Sequence, residues 1–290
     1  MQNSYSDRVV SEFLTKVDEV LSPAGLLYRA FGRVKSQNSL YQKNTKHPGK
    51  YSESGKKIQD FVGIRVTLYF ADDTEIAVKL LKSKFQFIAE DSVIDNPEGD
   101  VFSARRCNLV FKVPEDIDVF IPEQYQDIVD ETFEVQLRTV LSEGWHEVEH
   151  DLRYKAQDDW TGHGDLSRAL NGIYATLETS DWGMIKLFEE LSYRHYKENN
   201  FEEMLKTKFR LRLHSRISQK LKKVIDEEPD LLKKIFRAPR KKTVEELSRF
   251  CKFVPLTPDV LVQVINRMLI KNKRIESTEP ETFKEQYEQI

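Results

Sequence analysis

Cysteine is almost missing from this chain. Cys107 and Cys251 are the only two, far apart and in neither CxxC nor Cys/His ligand spacing, so neither a disulfide framework nor a zinc site is indicated. Long apolar runs are also lacking: none approaches the ~18 residues needed to span a bilayer. The N-terminus (Met1-Gln2-Asn3-Ser4-Tyr5) has neither the basic start nor the apolar stretch of a signal peptide. Internal repeats and low-complexity tracts are absent. With 32% charged residues and a mean hydropathy of −0.56, the expectation is a soluble, cytoplasmic protein with no membrane contact.

What is present is enough for a substantial core. The chain has 290 residues, 39% hydrophobic and 11% aromatic, which suits one large domain or a domain with an appendage. The net charge of −3 is unevenly spread. Residues 206–242 hold 14 Lys or Arg against 4 Asp or Glu, a net +10, which leaves about −13 for the rest. A cationic segment on an acidic body fits docking on nucleic acid. It fits equally well a helix bound to the acidic part of the same protein, and composition does not separate the two. The shift in charge places a boundary near residue 200.

The stretch with the clearest pattern is Thr132-Phe133-Glu134-Val135-Gln136-Leu137-Arg138-Thr139. Apolar and polar residues alternate without a break, and strand side chains point to opposite faces with period two. One face therefore enters a core, while the other presents a carboxylate, an amide and a guanidinium in a row. A second strand is predicted over Ile58–Phe70, rich in β-branched and aromatic residues, with Asp60 at its start and Arg65 inside. Phe85–Ile88 and Asn108–Val113 are further strands.

Helical periodicity marks residues 4–21, ended by Ser22-Pro23, and residues 73–83. Lys35, Ser39 and Lys43 sit at i, i+4 and i+8, so a helix there puts two ammonium groups and a hydroxyl on one face, suited to polyphosphate or simply to solvent. A polar loop follows over 44–57. A helix carrying Trp145, Glu149, His150, Tyr154 and Lys155 is expected after the alternating strand. From about 165 the pattern is helical almost to the end. Leu166, Ala169, Leu170, Ile173, Leu177, Ile185, Leu187, Phe188 and Leu191 form an expected buried stripe. Further helices are expected over Phe201–Ile225, Pro229–Phe236, Val244–Phe250 and Pro258–Ile270, and then a polar tail.

Three separated segments together resemble the synthetase domain of RelA/SpoT-type alarmone synthetases, including small monofunctional and toxin members. The first is Arg33, Lys35, Ser39 and Lys43. The second is Asp60, Gly63 and Arg65. The third is Glu134, Gln136, Arg138 and Thr139, followed by Trp145, Glu149, His150, Tyr154 and Lys155. The resemblance covers roughly residues 30–155 and implies an α+β fold: a nucleotidyltransferase-like mixed sheet flanked by helices, in a domain of residues 1–200, with a basic, all-helical region over 201–290. It implies transfer of the β,γ-pyrophosphate of ATP to the 3′-hydroxyl of GDP or GTP, with Asp60 and Glu134 catalytic and holding Mg²⁺. Arg33, Lys35, Ser39, Lys43, Arg65, Gln136 and Arg138 are the implied nucleotide-binding set. Trp145 reads as packing and His150 as structural. The bifunctional relatives carry a hydrolase domain ahead of these motifs, and only about thirty residues precede Arg33 here, so degradation of the product is not expected.

One departure concerns the acceptor. The family's Asn-Gly-Tyr-x-Ser-Leu-His segment, whose tyrosine stacks on guanine, is not matched by Asp100-Val101-Phe102-Ser103-Ala104-Arg105-Arg106-Cys107. Register puts Ala104 opposite the tyrosine. A two-residue slide offers Phe102 instead, and Arg105 and Arg106 are placed to meet phosphate. Three readings follow: synthesis of guanosine tetra- or pentaphosphate; the same transfer to the 3′ end of tRNA as a growth-inhibiting toxin, with 206–242 contacting RNA; and an idle nucleotide-binding regulator. A homo-oligomer is compatible with all three.

Overall fold

A computed structural model describes residues 2–46, 49–52, 55–95, 106–251 and 254–287. The chain forms two compact units. The first holds Met1–Asp18, Tyr28–Tyr69 and Leu81–Ser180, the second Glu19–Leu27, Phe70–Leu80 and Asp181–Ile290.

The first unit is built on a sheet. The elements in chain order are α1 (Gln2–Leu21), β1 (Tyr28–Val34), α2 (Gln37–Lys46), β2 (Val62–Leu68), α3 (Asp73–Lys84), β3 (Phe87–Ile94), β4 (Cys107–Lys112), β5 (Thr132–Thr139), α4 (Val140–Glu149) and α5 (Gly164–Lys197). The five strands lie in the order β1-β2-β5-β4-β3. β2 and β5 run parallel, and the other pairs are antiparallel, so the sheet is mixed and flanked by helices, as expected.

Alternation in the sequence fixes which face is dry. Phe133, Val135 and Leu137 of β5 are buried, as are Val62, Ile64, Val66 and Leu68 of β2. Phe133 gathers the aromatic core: its ring centroid lies 4.7 Å from Phe13 of α1, 5.3 Å from Phe85 and 5.5 Å from Phe111. The opposite face is polar. Register places Arg33 beside Gly63 and Gly63 beside Glu134. The next row is Phe31, Arg65, Gln136 and Asn108, and the row after it Arg29, Thr67 and Arg138. The turn from β5 into α4 is set by a capping box, in which Thr139 Oγ1 accepts from Ser142 N at 3.1 Å and Ser142 Oγ accepts from Thr139 N at 3.0 Å.

Several sequence expectations need correction. The strand predicted over 58–70 is β2 alone, and Asp60 lies two residues before it. Lys35 is not helical: Ser36 Oγ accepts from Ser39 N at 3.2 Å and starts α2 after it, while Lys35 N still bonds to Phe61 O at 2.7 Å. β3 runs on to Ile94 instead of stopping at Ile88. The apolar stripe of α5 is largely uncovered. Leu166, Ile173, Leu187 and Leu191 are exposed, whereas Ile185 is buried. A 34-residue helix is about 50 Å long, beyond the ~30 Å width of a small core, so periodicity marks a face the fold does not have to cover.

The second unit is helical, with α6 (Phe201–Phe209), α7 (Gln219–Glu227), α8 (Pro229–Phe236), α9 (Arg240–Phe250), α10 (Pro258–Ile265), α11 (Lys273–Glu276) and α12 (Glu281–Tyr287). The all-helical C-terminal region is thus observed, with helices also in the expected polar tail. The helix predicted over Phe201–Ile225 breaks at Arg210, whose φ of 50° is left-handed. From there the extended segment donates Arg212 N to Gly25 O and His214 N to Leu256 O, both at 2.8 Å. Phe209, Leu221, Ile235, Val244, Leu247, Leu261 and Ile275 fill this core.

Deleting a buried ring removes its transfer energy and leaves a cavity. Phe133→Ala is expected to cost about 3–5 kcal/mol, read as a shift in the urea midpoint. A loss under about 1 kcal/mol would show that the four-ring cluster is not the core of the sheet.

Candidate active site

The polar sheet face ends at a carboxylate held from both sides. Residues 58–61 approach β2 as an extended segment pinned along its backbone. Ile58 N donates to Ile128 O at 2.7 Å, and Ile58 O accepts from Asp130 N at 3.0 Å. Gln59 O accepts from Thr132 Oγ1 at 3.1 Å, and Phe61 O from Lys35 N at 2.7 Å. Asp60 sits between these pins, and its position follows from backbone bonds rather than from its own side chain.

Two ammonium groups meet that side chain. Lys35 Nζ is 2.7 Å from Asp60 Oδ2, and Lys43 Nζ is 2.8 Å from Oδ1. Burial works against the Asp60 carboxylate, yet the two lysines outweigh it and hold its pKa below the usual range. Burial likewise opposes the charge on Lys43, and Asp60 more than compensates.

Glu134 faces the opposite situation. Its register partner is Gly63, which has no side chain to fill the space. Burial pushes the Glu134 carboxyl above its ordinary value, the hydrogen bond from Gln136 Nε2 (2.7 Å) draws it back, and the Asp60 charge pushes it further up. Among the described residues it makes no ion pair. At the far end of the same strand, Arg138 is half-buried and hydrogen-bonded to neutral acceptors: Asn108 Oδ1 at 3.2 Å and Leu137 O at 3.0 Å. Burial, and then Arg65, lower its pKa. The strand therefore carries one desolvated anion and one desolvated cation, each held only by neutral groups.

Arg65 is satisfied internally. Its Nη1 is 2.8 Å from Glu143 Oε1 and also contacts Glu147, while Nε reaches Gln136 Oε1 at 3.3 Å. Its guanidinium lies 5.5 Å from the centre of the Phe31 ring. Sequence reading missed Glu143 and Glu147, although a Glu-x-x-x-Glu spacing on the helix after a polar strand is a visible signal. It also missed His146, whose imidazole is driven down to about 3 by burial and by Arg138 and Arg65.

The structure thus brings Asp60, Lys35, Lys43 and Glu134 together and continues the row through Gln136, Arg65 and Arg138. Arg33 is exposed on the same face of β1, beside Gly63. Ser39 is exposed, its Oγ 2.9 Å from that of Ser36. Arg106 is exposed and paired with Asp95 at 3.0 Å. Phe102, Ala104 and Arg105 lie outside the described residues. Trp145 is buried and donates Nε1 to Leu170 O at 2.9 Å, a packing role. His150 is exposed, with Nδ1 2.9 Å from Asp151 Oδ1.

A carboxyl whose pKa is higher folded than unfolded favours the fold while protonated, and penalises it once the pH has risen past that value. Glu134→Gln removes the penalty and keeps an acceptor for Gln136. Its Tm at pH 7 in magnesium-free buffer is expected to equal or exceed that of the parent. A clearly lower Tm would mean that Glu134 is matched by charge rather than strained.

The family model for the region found in RelA/SpoT proteins matches residues 32–159. No curated protein matches the chain. Among solved structures, the chain is similar to small alarmone synthetase 2 from Bacillus subtilis, with 19% identity, 62% of this chain and 90% of that chain covered, and a TM-score of 0.47. Small alarmone synthetase 1 from the same organism, bound to its product pppGpp, has 21% identity, 64% and 93% coverage and a TM-score of 0.47. A GTP pyrophosphokinase family protein from Streptococcus pneumoniae has 18% identity, 69% and 91% coverage and a TM-score of 0.47. Residues 32–159, which contain Lys35, Lys43, Asp60 and Glu134, are thus a region of the RelA/SpoT type.

Proposed function

We propose that this chain is a pyrophosphokinase that transfers the β,γ-pyrophosphate of ATP to the 3′-hydroxyl of GDP or GTP. The observation that carries the reading is the Lys35–Asp60–Lys43 triad beside the unmatched carboxylate of Glu134, inside the region that matches the family.

The donor set suits magnesium. That ion takes hard oxygen ligands, usually one or two carboxylates with water and phosphate completing the shell, and Glu134 is a half-buried carboxylate with no ion pair among the described residues. Asp60 and Glu134 would hold the ion. Once bound it supplies charge neutralisation on the triphosphate oxygens.

The remaining steps belong to the protein. Lys35 and Lys43, released from Asp60, turn their ammonium groups to the phosphate tail. Arg33 and Ser39, exposed at the same end, add a guanidinium and a hydroxyl. The 3′-oxygen of the acceptor attacks the β-phosphorus, the bond from that phosphorus to the α-phosphate oxygen breaks, and AMP leaves. Glu134 takes the hydroxyl proton. Arg138, which makes no ion pair among the described residues, offers its charge to an acceptor phosphate.

A second acceptor stays in view because Asp100–Cys107 lacks the guanine-stacking tyrosine segment. On that reading the same transfer ends on the 3′ end of tRNA. Incubation with γ-labelled ATP and GDP, GTP or deacylated tRNA separates the two. Label is expected on GDP or GTP. Label on tRNA alone would move the assignment to the second acceptor, and label on none of them would sink the transferase reading. Asp60→Ala and Glu134→Gln are each expected to lower the rate by at least about 10²-fold.

A further inference from the structure

The basic segment 206–242 does not act as one surface. Six of its fourteen cations are spent within the chain: Lys206, Arg210, Lys222, Lys223, Arg240 and Lys241 make ion pairs. Others gather in the second unit around three aromatic rings. Near its C-terminal end α5 sets Tyr193, Tyr196 and Lys197 at i, i+3 and i+4, and α8 with its C-cap residue Arg237 sets Lys233, Phe236 and Arg237 at the same spacing, so each group of three lies on one face.

The two faces meet. The Phe236 ring stacks on Tyr196 at 4.6 Å with 14° between the planes, and Tyr193 lies 6.2 Å from each of them. Lys208 Nζ of α6 stands 5.3 Å from the centre of the Phe236 ring. Tyr193 is 46% exposed, and Lys197, Lys233 and Arg237 are exposed. None of these three cations, nor Lys208, makes an ion pair among the described residues. Glu189, the carboxylate that acts on Lys208, is itself paired with Lys186 at 2.7 Å.

We propose that this patch binds single-stranded nucleic acid, with a base stacked on Tyr193 over the Tyr196–Phe236 pair and phosphates held by Lys197, Lys208, Lys233 and Arg237. Two requirements of a single-strand platform are met together. Rings are fixed against each other before any ligand arrives, which saves ordering cost, and cations lie around them to follow the backbone. A duplex keeps its bases stacked inside and uses only the cations, so it gains nothing from the rings. The inference is independent of the pyrophosphate transfer, because all seven residues belong to the second unit and lie outside residues 32–159.

The test uses the full-length protein and a fluorescein-labelled twelve-nucleotide oligouridylate, with a duplex of equal length and phosphatidylserine vesicles in parallel. Tyr193→Ala is expected to weaken binding of the single strand roughly 5- to 100-fold, by the loss of one stacked base, and to leave duplex binding unchanged. Lys233→Ala with Arg237→Ala should lower the slope of log K against log salt by roughly one to two. Circular dichroism of each variant checks that it folds. Failure of the parent protein to bind the strand at low salt would overturn the proposal, as would an unchanged Kd in Tyr193→Ala. Vesicle binding with the same dependence on Tyr193 would transfer the patch to membranes. Label transfer from ATP, measured on the same samples, reports separately on the catalytic reading.

Discussion

One carboxylate gripped by two lysines sets the terms for the whole sheet face. Asp60 is fixed by the backbone bonds around it, and Lys35 and Lys43 neutralise it twice over. That surplus of one positive charge is matched only by Glu134, which lies close enough to feel Asp60 but makes no ion pair among the described residues. The four groups sum to zero charge without every group being satisfied. Such an arrangement is stable enough to preform, and it also leaves an exchange available. On the proposed reading, a cation held by the two carboxylates would free two ammonium groups for a polyanion entering beside them, so that one small set of side chains would supply the counter-charge for both.

The rest of the face repeats the theme with a different balance. Arg65 is locked by Glu143 and Glu147 and braced by Gln136, so it is a strut in this state. Arg138 is half-buried and hydrogen-bonded to neutral acceptors. Taking a charge out of water without a close ion pair is costly, and burial is the first cause of both the lowered pKa of Arg138 and the raised pKa of Glu134. Perturbed groups converging on one polar face fit a site built for charged substrates. An inert scaffold has no physical reason to keep both.

Much of this was legible in the chain because strand alternation is a rigid code. Phe133, Val135 and Leu137 had to share a face, and so did Glu134, Gln136 and Arg138. The short strands left the order open, and the register of β2 against β5 emerged only with the fold. Helical spacing misled where it was taken as a helix. Lys35 and Lys43 do converge, but on Asp60 and from different elements, because Ser36 starts α2 behind Lys35. The Glu143–Arg65–Glu147 clamp needed the fold as well: the Glu-x-x-x-Glu spacing is visible in the sequence, but the arginine it grips lies 78 and 82 residues away. The stripe on α5 marks apolarity without naming what lies opposite it, so burial there did not follow from periodicity.

The basic segment shows where composition stops being an argument. A net +10 over 206–242 suggests a single cationic surface, yet Arg240 Nη1 donates to Asp73 Oδ1 at 2.6 Å, Arg210 pairs with Asp72, and Asp73 is fully buried. Burial pushes the Asp73 carboxyl up against the pull of Arg240, so this part of the charge serves to fasten the start of α3 within the second unit. Removing one member of such a cluster leaves a buried charge uncompensated, typically a loss of about 3–5 kcal/mol, whereas the intact cluster contributes little net stability. The cations that can act on a partner are those left over. Their value lies in position, because Lys208, Lys233 and Arg237 stand around rings that already touch. Charge that is counted along a sequence becomes a binding surface only where the fold leaves it unspent and gives it a neighbour with a second kind of chemistry.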